Sequence, residues 1–108
     1  MIRLDYRDQA LVNRLVAQRD LAAAMEALKA ADGDIVVDIG SNVATTSWVD
    51  AFLAPLVASS GRRVIVIADS SVTISHIARV FQVRGHRIEV ARNVEDAVRG
   101  TVDVIPAA

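Results

Sequence analysis

The chain of 108 residues is long enough to bury one hydrophobic core and too short for two, so it reads as a single domain. Hydrophobic residues make up 53% of it, yet no apolar run approaches the roughly 18 residues of a membrane span, which excludes direct membrane insertion and predicts a soluble globular protein. Twelve basic against thirteen acidic residues leave a formal net charge of −1, with no electrostatic footprint for nucleic acid, and the absence of cysteine excludes a disulfide framework or a thiolate metal site.

Nothing at the start has the charged-then-apolar form of a secretory signal, so the cytoplasm is the expected compartment. Ile2, Leu4 and Tyr6 alternate with Arg3, Asp5 and Arg7, the period of a strand with one wet face. After Asp8-Gln9, the short turn and the valines of Ala10–Ala17 favour a second strand folded back on the first in a hairpin. From Asp20, placed as an N-cap, Leu21, Ala24, Met25 and Leu28 form one apolar helical stripe, with Gly33 as its left-handed stop. Ile35–Ile39 is a continuous apolar strand of the doubly buried kind.

The alternation then repeats. A helix is expected over Ser47–Ala58, with Val49, Phe52, Leu53 and Leu56 inward, and Pro55 predicts a kink or a break near residues 51–54, since an interior proline costs about 3 kcal/mol. A strand at Arg62–Ala68 leads to a helix over Ser71–Arg84, carrying Ile74, Ile77, Ala78 and Phe81 and closed by Gly85. His86–Ala91 is a last strand, Asn93 caps a short helix that Gly100 ends, and the tail 101–108 is expected to pack loosely. The predicted class is α/β: an N-terminal β-hairpin followed by βαβα units, giving a mixed, mostly parallel sheet with helices packed on it.

No catalytic set converges. His76 and His86 are not brought together by any spacing, Gly40 stands alone rather than in a phosphate loop, and neither a cofactor nor a metal is called for. The expectation is a non-enzymatic protein. Trp48 is either an anchor for a partner or, more in keeping with a helix-start aromatic, packed on its own domain. Attention falls on Thr45, Thr46 and Ser47 at the start of the second helix, where backbone N–H groups lack partners. Thr46 or Ser47 can supply the cap, and a hydroxyl there can also carry a phosphate, whose charge the helix end tolerates.

Taken in order, "AQRD" before an amphipathic helix, "VVDIGSNVATTSWVDAFLAPL", "GRRVIVIADSSVTISHIARVF" and "NVEDAV" resemble the STAS domain, the family of anti-sigma factor antagonists, over nearly the full chain. The family's G-E-L-D turn corresponds to Ala17, Gln18, Arg19 and Asp20, with only the aspartate kept. Its Asp-Ser pair falls, counting from Asp38, on Thr46 and Ser47, so Ser47 is the position of the phosphorylatable serine and Thr46 replaces the acid. The resemblance implies a protein partner: an anti-sigma factor that is also a serine kinase, bound when Ser47 is free and released when it is phosphorylated. Asp20, Asn42, Thr46, Ser47, Trp48 and Asp50 are the implied partner-binding residues. STAS modules also serve, unphosphorylated, as interaction subunits of anion or lipid transport systems and of stress-sensing complexes. The second half resembles the opening of a response-regulator receiver as well, but Asp69 is a lone acid where a receiver has a pair, so that likeness is read as shared βαβα periodicity.

Overall fold

The computed structural model describes residues 1–107; Ala108 lies outside the described residues. Strands β1 (Ile2–Asp5), β2 (Ile35–Gly40), β3 (Val64–Ala68), β4 (Ile88–Ala91) and β5 (Asp103–Ile105) form one sheet in that order. The first four are parallel, and β5 runs antiparallel to β4. The chain is therefore α/β with a mixed, mostly parallel sheet, as the alternation of apolar strands with amphipathic helices implies.

The helical elements are α1 (Arg14–Leu28), α2 (Thr46–Trp48), a π-helical turn (Val49–Leu53), α3 (Ala54–Ser60), α4 (Ser71–Arg84) and α5 (Val94–Arg99). Right-handed crossovers that keep advancing in one direction along a sheet deliver their helices to the same face. Accordingly α1, the path from Thr46 to Ser60 and α4 share one core with Ile35, Val37, Ile39, Val64, Val66 and Val90. On the other face Ala97 of α5 packs with Val36, Ile65, Ile67 and Ala91. Buried on both sides, β2 and β3 read as unbroken apolar runs.

The expected N-terminal hairpin does not form. β1 pairs in parallel with β2, and the second half of the supposed return strand, from Arg14 on, is the first turn of α1. Asn13 Oδ1 accepts from the Val16 N–H at 2.9 Å, so Asn13 is the cap, while Leu11 keeps only an isolated parallel bridge to Ala44. A capped start that runs on into an already helical stretch outweighs the β preference of Val12 and Val16. Ala17–Asp20 thus lies inside α1 rather than at a turn before it, and Asp20 caps nothing. Gly33 is not the stop either: α1 ends at Leu28 with Lys29 as its C-cap, and the φ of 108° at Gly33 belongs to the turn into β2.

Pro55 has the local effect its chemistry predicts, in a form other than a kink. The helical path continues from Thr46 to Ser60, but Val49–Leu53 widens into a π turn in which the Ala54 N–H donates to the Val49 carbonyl. Proline has no N–H and crowds the carbonyl four residues back. The wider turn absorbs that mismatch and leaves Pro55 in the first turn of α3, where a missing donor costs least. The helix at Ser71–Arg84 and its stop at Gly85, φ 71°, are as expected. The tail is not loose throughout, because Asp103–Ile105 pairs with Ile88–Val90 and covers what would be an open edge of β4.

Candidate functional site

The segment between β2 and α2 is fixed from three sides. Asn42 Nδ2 donates to the carbonyls of Tyr6 at 2.9 Å and Gln9 at 2.7 Å, tying the loop to the stretch after β1. Thr73 of α4, fully buried, donates its hydroxyl to the Asn42 carbonyl and accepts from the Ala44 N–H, each at 3.1 Å. His76, one turn further along α4, places Nδ1 2.8 Å from the Ala44 carbonyl and so donates to it. Thr45 completes the arrangement: its N–H donates to the Leu11 carbonyl, its hydroxyl donates to the Val12 carbonyl, and the same oxygen accepts from the Trp48 N–H at 3.2 Å. The cap is therefore Thr45, not Thr46 or Ser47 as expected. Its bonds leave the two following hydroxyls free of that role.

Ser47, half-buried at the second position of α2, opens onto a groove between α1, the π turn and α4. The cavity measures about 330 Å³ and is lined by Arg14, Thr46, Ser47, Asp50, Arg79, Val80 and Val83. Asp50 anchors it electrostatically. Arg84 Nε and Arg14 Nη1 each donate to its carboxylate at 2.8 Å, and these two guanidiniums, Arg84 foremost, hold its carboxyl below the ordinary aspartate value. Arg79 is exposed on α4 and enters no ion pair among the described residues. Large apolar side chains stand in solvent on the same elements: Leu15, 77% exposed, beside Arg14, and Val83, 83% exposed, in the groove wall, with Val12, Val43 and Val72 on the adjoining segments.

The remaining expected site residues lie elsewhere. Trp48 is 0% exposed, stacked on Phe52 at 4.4 Å with Tyr6 edge-on to both rings. Its Nε1 donates to Asp20 Oδ2 at 3.1 Å, and Gln9 Nε2 donates to the same oxygen at 2.8 Å. Burial, and secondarily the Asp20 charge, pushes the Tyr6 hydroxyl well above its usual range. Trp48 and Asp20 are thus a hydrogen-bonded pair in the core, not groups that a partner can touch. Asn42 holds the loop from behind. Asp38, the origin of the spacing that singles out Ser47, is buried in β2, where it accepts from Arg3 Nε at 3.2 Å.

Thr46, Ser47 and Asp50 are the expected residues that the fold brings together. Arg14, Arg79 and Arg84 join them without a sequence signal, because they come from the first turn of one helix and the second half of another, and no local spacing relates them. No family model matches the chain, and neither a curated protein nor a solved structure matches it.

Proposed function

We propose that the chain is a non-enzymatic, cytoplasmic regulatory domain of the anti-sigma-factor-antagonist type, which docks a protein partner on the groove face and is switched by phosphorylation of Ser47. The observation that carries the reading is the setting of Ser47: a half-buried hydroxyl, released from capping by Thr45, in a charged groove whose wall includes the exposed Val83, with exposed Leu15 next to Arg14 in the chain. Exposed apolar side chains near charged groups suit a protein interface. A rigid loop behind it, pinned by Asn42, Thr73 and His76, holds the hydroxyl in place for a kinase. Transfer from ATP replaces the hydroxyl proton by a phosphoryl group and releases ADP, placing about −1.5 to −2 charges on the docking face.

The partner class is an anti-sigma factor with serine kinase activity. The test is to incubate the purified chain with the candidate partner and ATP, measure intact mass, and measure binding of Ser47→Ala and Ser47→Asp. Addition of one phosphate to the native chain but not to Ser47→Ala, with binding kept by Ser47→Ala and lost by Ser47→Asp, is the expected result. An unchanged mass, or phosphate still added to Ser47→Ala, overturns the phosphoacceptor assignment. In that case binding that ignores both substitutions is the signature of an unphosphorylated interaction subunit in a transport or stress-sensing complex.

A further inference from the structure

We infer that a phosphate on Ser47 is read first by the protein itself, as the centre of an intramolecular clasp in which Arg14 leaves Asp50 for the phosphate and Arg79 closes on it from the opposite wall. The inference rests on Ser47 being the modified residue and concerns what the added charge does next. Ser47 and Asp50 stand one turn apart on the same helical path, so the phosphate and the Asp50 carboxylate are neighbours competing for the same cations. Arg14 is the less firmly held of the two. Its side chain is 59% exposed and holds Asp50 through one contact at 2.8 Å. Arg84 grips Asp50 more fully, with Nε on the carboxylate at 2.8 Å and Nη2 on the Asp50 carbonyl at 3.3 Å, and so keeps that carboxylate paired when Arg14 departs.

The opposite wall supplies Arg79, which lines the same cavity and has no carboxylate to leave among the described residues. The cavity of about 330 Å³ is large enough to take a phosphate group within reach of its arginines. A phosphate carrying about −1.5 to −2 charges attracts a guanidinium more than a singly charged carboxylate at the same distance, which favours the exchange of Arg14 from Asp50 to phosphate. The clasp ties α1 to α4 across α2. It consumes two cations of the docking face and changes the charge beside the exposed Val83.

The charged groups lining the groove around the phosphate are Arg14 from α1, Asp50 from the π turn and Arg79 from α4, with Arg84 of α4 bound to Asp50; His76 of α4 is directed at the Ala44 carbonyl. Two or more guanidiniums against one carboxylate favour the dianion. The experiment is the full chain with phosphoserine incorporated genetically at position 47, titrated by ³¹P NMR beside a peptide of residues 41–53 carrying the same phosphoserine. In the intact protein the second phosphate ionisation is expected about one unit below the peptide's value near 6. Arg79→Ala and Arg14→Ala should each return it part of the way, and Arg62→Ala, outside the groove, should not. A phosphate that titrates as in the peptide, or that is unaffected by both groove substitutions, overturns the clasp. The two readings fail separately: a phosphate that titrates low while partner binding ignores it overturns the functional reading and leaves the clasp standing.

Discussion

Asp20 and Trp48 show how far one side chain's role depends on what lies beneath the surface. On the helical path from Thr46, consecutive side chains point about 100° apart, so Ser47 can face the groove while its neighbour Trp48 faces inward. A tryptophan buried to this degree must pair its indole N–H, and Asp20 Oδ2 is the partner, itself also held by Gln9. Replacing Asp20 by alanine strands that donor in the aromatic cluster. The expected cost is about 1 to 3 kcal/mol, read as a lower denaturation midpoint with an unchanged slope. Indole fluorescence should shift with it, whereas a surface role for Asp20 predicts a change within about 0.5 kcal/mol.

At the scale of elements, α1 is decided at its first residue. Asn13 is a cap that reads equally well as a turn residue, and the valines on either side of Arg14 carry a β preference that stays ambiguous until β1 is seen to pair with β2 rather than with its own continuation. Asn13→Ala is therefore expected to destabilise the protein by about 1 kcal/mol and to raise amide exchange over residues 14–17. If Ala10–Ala17 were a strand, that substitution would leave helical exchange protection starting at Asp20 unaltered. The path from Thr46 to Ser60 teaches the complementary lesson. Pro55 announces an irregularity before it, and only packing of Phe52 and Leu53 into the core selects a π turn over a break, since both side chains are fully buried in that geometry.

Over the whole molecule, charge pairing is arranged as arginine–carboxylate couples at the rim of the sheet and in the groove. Arg7 holds the Asp5 carboxyl down to about 2, Arg84 and Arg14 lower that of Asp50, and Arg63 lowers that of Glu89. In the unfolded chain these groups titrate near about 4, so on acidification the unfolded state takes up their protons first. The stability they contribute is complete above that value and is lost as pH falls through the lower folded values. Thermal midpoints should accordingly be flat through neutral pH and fall between about pH 4 and the region of pH 2 where Asp5 titrates. The fall at mildly acidic pH should be shallower in Asp50→Asn, which has already lost its charge-dependent share. A midpoint that rises on acidification over this window would contradict these pairings.

The α/β class, β2 and β3 as doubly buried strands, α4 with its glycine stop, and a hydroxyl-bearing helix start after β2 were all legible from periodicity and turn residues alone, because each depends on contacts within a few positions of chain. The start of α1, the pairing of β5 and the choice of Thr45 over its two neighbours as cap were not. Each is settled by a partner remote in sequence: β2 for β1, β4 for the tail, and the carbonyls of Leu11 and Val12 for Thr45. The groove is the fullest case. Its serine could be singled out by counting, but the arginines near it come from two helices remote in sequence, Arg14 from α1 and Arg79 and Arg84 from α4, and only the packing of α1 and α4 against the Thr46–Ser60 path sets their charges near that hydroxyl.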